Sequence, residues 1–113
     1  MESPFVGSAV EMMILEVIAQ GPSYGYEITQ TVGERSGGYF DLKEGSLYPA
    51  LHRLERRKLL RAFWREADGR RRKYYELTDA GRAELAARKA SWLDFAAGVN
   101  GVLGIGRAHL AGS

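Results

Sequence analysis

Asp68-Gly69 interrupts a run of aromatic and basic residues, and this dipeptide commits the middle of the chain to a β-hairpin. Asp-Gly is among the few pairs that accept two consecutive positive φ angles, the geometry that turns one strand tightly back onto another. On either side, Leu60 to Glu66 and Arg71 to Leu77 carry Phe63, Trp64, Tyr74 and Tyr75. That content favours sheet, although the alternation is imperfect.

The rest of the chain reads as helix. From Ser8, the residues Val10, Met13, Ile14, Val17 and Ile18 recur at amphipathic spacing, and Ser8 with Glu11 has the spacing of a capping box. Gly21-Pro22 ends this helix, because proline disfavours helical geometry in the residue before it. Ser23 is placed to cap a second helix running to about Arg35, with Tyr24, Ile28 and Val32 on one stripe and Gly25 and Tyr26 beside it. Tyr26 is read as a packing residue. Ser36-Gly37-Gly38 stops this helix, and Phe40 and Leu42 anchor the link that follows. A third helix is predicted to begin near Glu44 to Ser46, with Pro49 in its first turn, where a missing N–H has no partner to lose. Leu47, Ala50, Leu51 and Leu54 form its buried stripe. Ser46, Tyr48, His52, Arg53, Arg56 and Arg57 fall largely outside that stripe. Thr78 is placed to cap a last helix near Gly81, which reaches about Leu103; glycine-rich 104–113 is expected to be a mobile tail.

Charge is segregated along this pattern. Between Arg53 and Lys73 stand ten Lys or Arg against three acids, a local +7, while the remainder carries six bases against eleven acids, a local −5. A charge run alone is equally a solvated face. Its position decides the reading, because Arg70-Arg71-Arg72-Lys73 sits at the tip and second strand of the hairpin. Four adjacent cations repel one another there, and a polyanion relieves that repulsion.

Three helices, a basic two-stranded hairpin and a final helix describe a mainly α winged helix-turn-helix with a C-terminal dimerisation helix. A helix fits the major groove of DNA, and a cationic hairpin beside it can lie along phosphates. On this reading double-stranded DNA is the partner. Lys43, Ser46, Tyr48 and Arg53 come from the third helix, and Arg70, Arg71, Arg72 and Lys73 from the wing. Residues 8–78 make the DNA-binding domain and 79–103 the dimerisation helix.

Tyr24-Gly25-Tyr26-Glu27-Ile28, Glu44-Gly45-Ser46-Leu47-Tyr48-Pro49-Ala50-Leu51 and Arg72-Lys73-Tyr74-Tyr75-Glu76-Leu77-Thr78, followed by Ala80-Gly81-Arg82, resemble the PadR family of bacterial transcriptional regulators. The resemblance covers about Val10 to Arg82. It implies a homodimer, built by the first and last helices, that mostly represses transcription of genes for phenolic-acid metabolism, multidrug efflux or development. The single C-terminal helix is that of a short member, in which a ligand response does not follow automatically.

Leu85, Trp92, Ala96, Val99 and Leu103 follow heptad-like spacing, widened by Phe95 and Val102 and interrupted by Lys89. These residues are the expected dimer interface, the alternative being that the helix folds back on the first one. Trp92 is either an interface core residue or, as in some resembling proteins, a platform for a planar aromatic effector.

Other classes find little support. There is no cysteine, and His52 and His109 are too scattered for a metal site or catalytic pair, so neither cofactor nor metal is expected. Ser8 and Ser23 are explained as caps. No apolar run approaches the roughly 20 residues that cross a bilayer, and the first residues lack a secretory pattern, so a cytoplasmic location is expected. The remaining rival is a winged helix that binds proteins instead of DNA, which the basic wing argues against.

Overall fold

The computed structural model describes residues 4–106, with side chains from Ala9 onward. Four helices and three short strands follow in the order α1 (Pro4–Ala19), β1 (Ser23–Tyr24), α2 (Gly25–Arg35), α3 (Glu44–Arg56), β2 (Leu60–Ala67), β3 (Arg70–Leu77) and α4 (Asp79–Leu103). The winged helix-turn-helix arrangement is present. No helix among the described residues is long and apolar enough to cross a membrane. His109 and the expected tail from residue 107 lie outside the described residues.

The apolar spacings assemble one core. Ile14, Leu15 and Ile18 of α1 meet Ile28 of α2, Leu51 and Leu54 of α3, and Tyr75 of β3, each 2% exposed or less. All four residues of the predicted α3 stripe are buried.

Several helix starts differ from the sequence reading. α1 begins at Pro4, so Ser8 lies inside the helix and not at its start. Proline suits that first position, since its absent N–H would have had no helical acceptor. Ser23 is not a cap. Its hydroxyl donates to the Gly21 carbonyl at 3.1 Å, and its backbone is extended. Ser23 and Tyr24 pair with Tyr75 and Tyr74, making the sheet three-stranded in the order β1-β3-β2. Pro49 is the sixth residue of α3, beyond the first turn, so the Gly45 carbonyl lacks its helical donor. Tyr26 points outward at 64% exposure, which removes it from the core.

The hairpin and the last cap follow local chemistry. Asp68 and Gly69 take φ of 54° and 73°, and Ala67 pairs with Arg70 across the turn. Thr78 Oγ1 accepts from the Gly81 N–H at 3.0 Å and donates to the Lys58 carbonyl at 2.7 Å, docking the start of α4 onto the corner after α3. Gly81 is held tightly there, because a Cβ on it would run into the Leu59 carbonyl, a backbone atom that cannot step aside. Gly81→Ala is therefore expected to cost about 1–3 kcal/mol as overpacking, a drop of roughly 4–8 °C in melting temperature per kcal/mol. A thermal melt unchanged from wild type would contradict this.

Candidate nucleic-acid interface

Successive residues of a helix turn by about 100°, so the face of α3 opposite Leu47, Ala50, Leu51 and Leu54 is fixed once these are buried. Tyr48, His52 and Arg56, four apart, run along that outward face with Gly45 and Pro49 beside them, and all five are exposed. Ser46 is only half-exposed and sits about 160° around the helix from Tyr48. Lys43 stands at the N-cap, paired with Asp41 at 2.8 Å and freely exposed. Tyr48 serves two ends. Its ring covers Gly25, where a Cβ would strike the phenol hydroxyl, yet 38% of the residue stays exposed. Arg53 is exposed but also has a partner within the chain. Its Nε donates to Glu11 Oε2 at 2.8 Å, which turns the guanidinium towards α1 and away from the outward ridge.

The wing divides its cations between two sheet faces. Arg65 stacks over Phe63 and Tyr74, with its guanidinium carbon 5.2 and 4.7 Å from the ring centroids, and Arg72 lies 4.5 Å over Tyr24. Tyr24, Tyr74 and Phe63 pack together, so this face is a layer of aromatics roofed by two arginines. On the other face Trp64 pairs with Lys73 across the strands, and Arg71 stacks 5.1 Å over the indole. Lys73 Nζ stands 3.9 Å from Glu55 of α3, tying the wing to the last turns of that helix. Arg70 and Arg71 are exposed, Arg71 resting on the indole, whereas Arg72 and Lys73 are also held by ion pairs to Asp68 and Glu55. Trp64, 56% exposed between cations, was legible only as a strand former, although a large exposed aromatic in a basic ribbon is itself a signal.

This is an exposed helical ridge beside a cationic ribbon. The family described as "Transcriptional regulator PadR-like family" matches residues 14–87, which include both. The chain belongs to that family. It is 36% identical over 109 residues to the transcriptional regulator Rv3488 of Mycobacterium tuberculosis, covering 96% of this chain and 95% of the relative. A PadR-like transcriptional regulator from Bacillus cereus superposes with a TM-score of 0.78 at 33% identity, over 89% of this chain and 97% of the other. A transcriptional regulator from Clostridium thermocellum gives 0.80 at 28% identity, over 87% and 96%. This PadR-like protein is a DNA-binding transcriptional regulator.

In this PadR-like chain α4 leaves the core early. Leu85, the first residue of the expected seam, is 6% exposed and packs into the chain's own core. Further along, Trp92, Phe95 and Val99 are 40–45% exposed, Leu103 is 64% and Val102 is 89%, with Ala96 half-buried between them. Trp92 lines two grooves. One, of about 440 Å³, runs between α1, α2 and α4 past Met12, Val17, Val32 and Phe40, with Glu16, Arg35 and Lys89 among its walls. The other, about 410 Å³, lies between α1 and α4 with Phe95 in its wall. Lys89, the apparent flaw in the stripe, donates to Glu16 of α1 at 2.9 Å. That hydrogen bond lowers the Glu16 pKa below the usual carboxylate value. Its stabilising contribution is therefore complete above pH 4.5 and fades as the pH falls through the lowered value.

Proposed function

We propose that this protein is a cytoplasmic homodimeric repressor. It reads two DNA half-sites with the Tyr48–His52–Arg56 ridges of its two subunits and holds the flanking phosphates with its two wings. Lys43, Arg70 and Arg71 are the backbone contacts; Arg72 and Lys73 reinforce them from their stacked positions, and Trp64 lies against the sugars. The observation that carries the dimer is the exposed apolar face of α4 from Trp92 to Leu103, which its own subunit leaves to water. A second copy of α4, with α1 alongside, would cover it. Symmetry then doubles a half-site too short to single out one promoter. Occupying a promoter excludes polymerase without needing another surface, which makes repression the simplest outcome.

A planar aromatic effector is the reading for the groove beside Trp92. Its volume lies within the roughly 300–1,000 Å³ typical of ligand sites, and an indole offers a stacking face. Sedimentation at micromolar concentration tests the assembly. A single species of twice 12.5 kDa is expected, and a monomer would overturn it.

A further inference from the structure

Two ion pairs bind α1 to α4: Glu16 to Lys89 and Glu11 to Arg88, both at 2.9 Å. Glu11 does more. Its Oε1 accepts from Arg88 Nη1, while its Oε2 accepts from Arg53 Nε at 2.8 Å. One carboxylate thus grips α4 with one oxygen and α3 with the other. Arg88 passes the chain on to Glu84 at 2.6 Å, and Arg57, capping α3, stands 3.9 Å from that same Glu84 oxygen. The centre of this clasp is sheltered, with the Glu11 and Arg88 side chains only 15% and 17% exposed.

The apolar contacts between α1 and α3 are non-directional, so they permit small rolls and slides. Charge-assisted bonds to a planar guanidinium have a fixed direction, so they single out one orientation. We infer that Glu11 is a positioning residue for DNA recognition, fixing how α3 sits on the α1–α4 unit and thereby which spacing between half-sites the protein accepts. The inference rests on the homodimer reading, in which α1 and α4 surround the two-fold axis. Any roll of α3 is then repeated by symmetry in the partner. One added base pair moves a half-site by about 3.4 Å and turns it by roughly 35°. A clasped α3 cannot follow that step, and a loosened one can.

The test uses the full chain as wild type, Glu11→Gln and Arg53→Gln. The probes are duplexes carrying the half-site that selection returns, with the spacer at its optimum or changed by one base pair, and a random duplex. Wild type is expected to prefer the optimal spacer by about tenfold or more, and both variants by about threefold or less. The two substitutions change the charge in opposite directions. A bulk electrostatic effect would strengthen binding to random duplex in Glu11→Gln and weaken it in Arg53→Gln, whereas lost positioning relaxes spacing in both. Arg53→Gln leaves the Glu11–Arg88 bond in place, so it answers the question even if Glu11→Gln fails to fold. Dimeric variants that keep the wild-type spacing preference, or that lose affinity equally at every spacing, overturn the role of Glu11. A monomeric wild type overturns the homodimer reading instead.

Discussion

Trp92→Ala is expected to split the proposed homodimer and with it abolish tight binding to a two-half-site operator, while the monomer stays folded. Truncating a core tryptophan costs about 3–5 kcal/mol, and roughly half of that applies to association, because Trp92 is 45% exposed before a partner arrives. Two copies are lost per dimer, so dissociation should shift by on the order of 10²–10⁴-fold. The core of the monomer is spared, since the buried residues of α4, Gly81 and Leu85, precede Trp92, and the Arg88–Glu11 and Lys89–Glu16 pairs to α1 do not involve it. Sedimentation of the variant against wild type, with circular dichroism to confirm helix content, reads the effect. A Trp92→Ala protein that stays dimeric at low micromolar concentration would place the interface elsewhere.

How far the sequence reveals this molecule depends on the range of each interaction. The Asp68-Gly69 turn and the Thr78 cap are legible because their chemistry is complete within four residues. The buried face of α3 is legible because its spacing is regular. β1 is not, since two residues have no periodicity and are extended only because β3 offers them partners fifty residues away. The partner of Arg53 is hidden for the same reason, its carboxylate lying forty-two residues back on α1. Leu85 fits the heptad spacing of α4, but only the fold shows that its own core claims it. His52 and Arg56 were within reach. Counting four and eight residues on from Tyr48 places both on one outward line, which a face defined by polarity alone blurs.

The second large effect is expected from the wing. Arg70→Gln with Arg71→Gln removes two exposed cations per subunit that are not held by an ion pair in the described structure, and so up to four phosphate contacts per dimer. Each contact contributes about 0.9 to the slope of log affinity against log salt, so the slope should fall by up to about 3–4 and affinity near 0.1 M salt by on the order of 10²–10⁴-fold. Operator and random duplex should weaken alike, because phosphates carry no sequence information. Stability should barely move. Arg71→Gln gives up only its stack on the exposed Trp64, whereas Arg72→Gln and Lys73→Gln also give up the Asp68 and Glu55 ion pairs, and their variants should lose some thermal stability as well. An unchanged salt slope in the Arg70/Arg71 variant would remove the wing from the interface.

Selecting bound duplexes from a random DNA pool with the wild-type full chain shows whether two half-sites are read together. Two symmetric ridges on one dimer should return an inverted repeat whose half-site centres lie about 10 base pairs apart, one helical turn, or a multiple of it. A single unrepeated motif, or a pool with no enriched sequence that binds only at low salt, would contradict a dimer reading two half-sites.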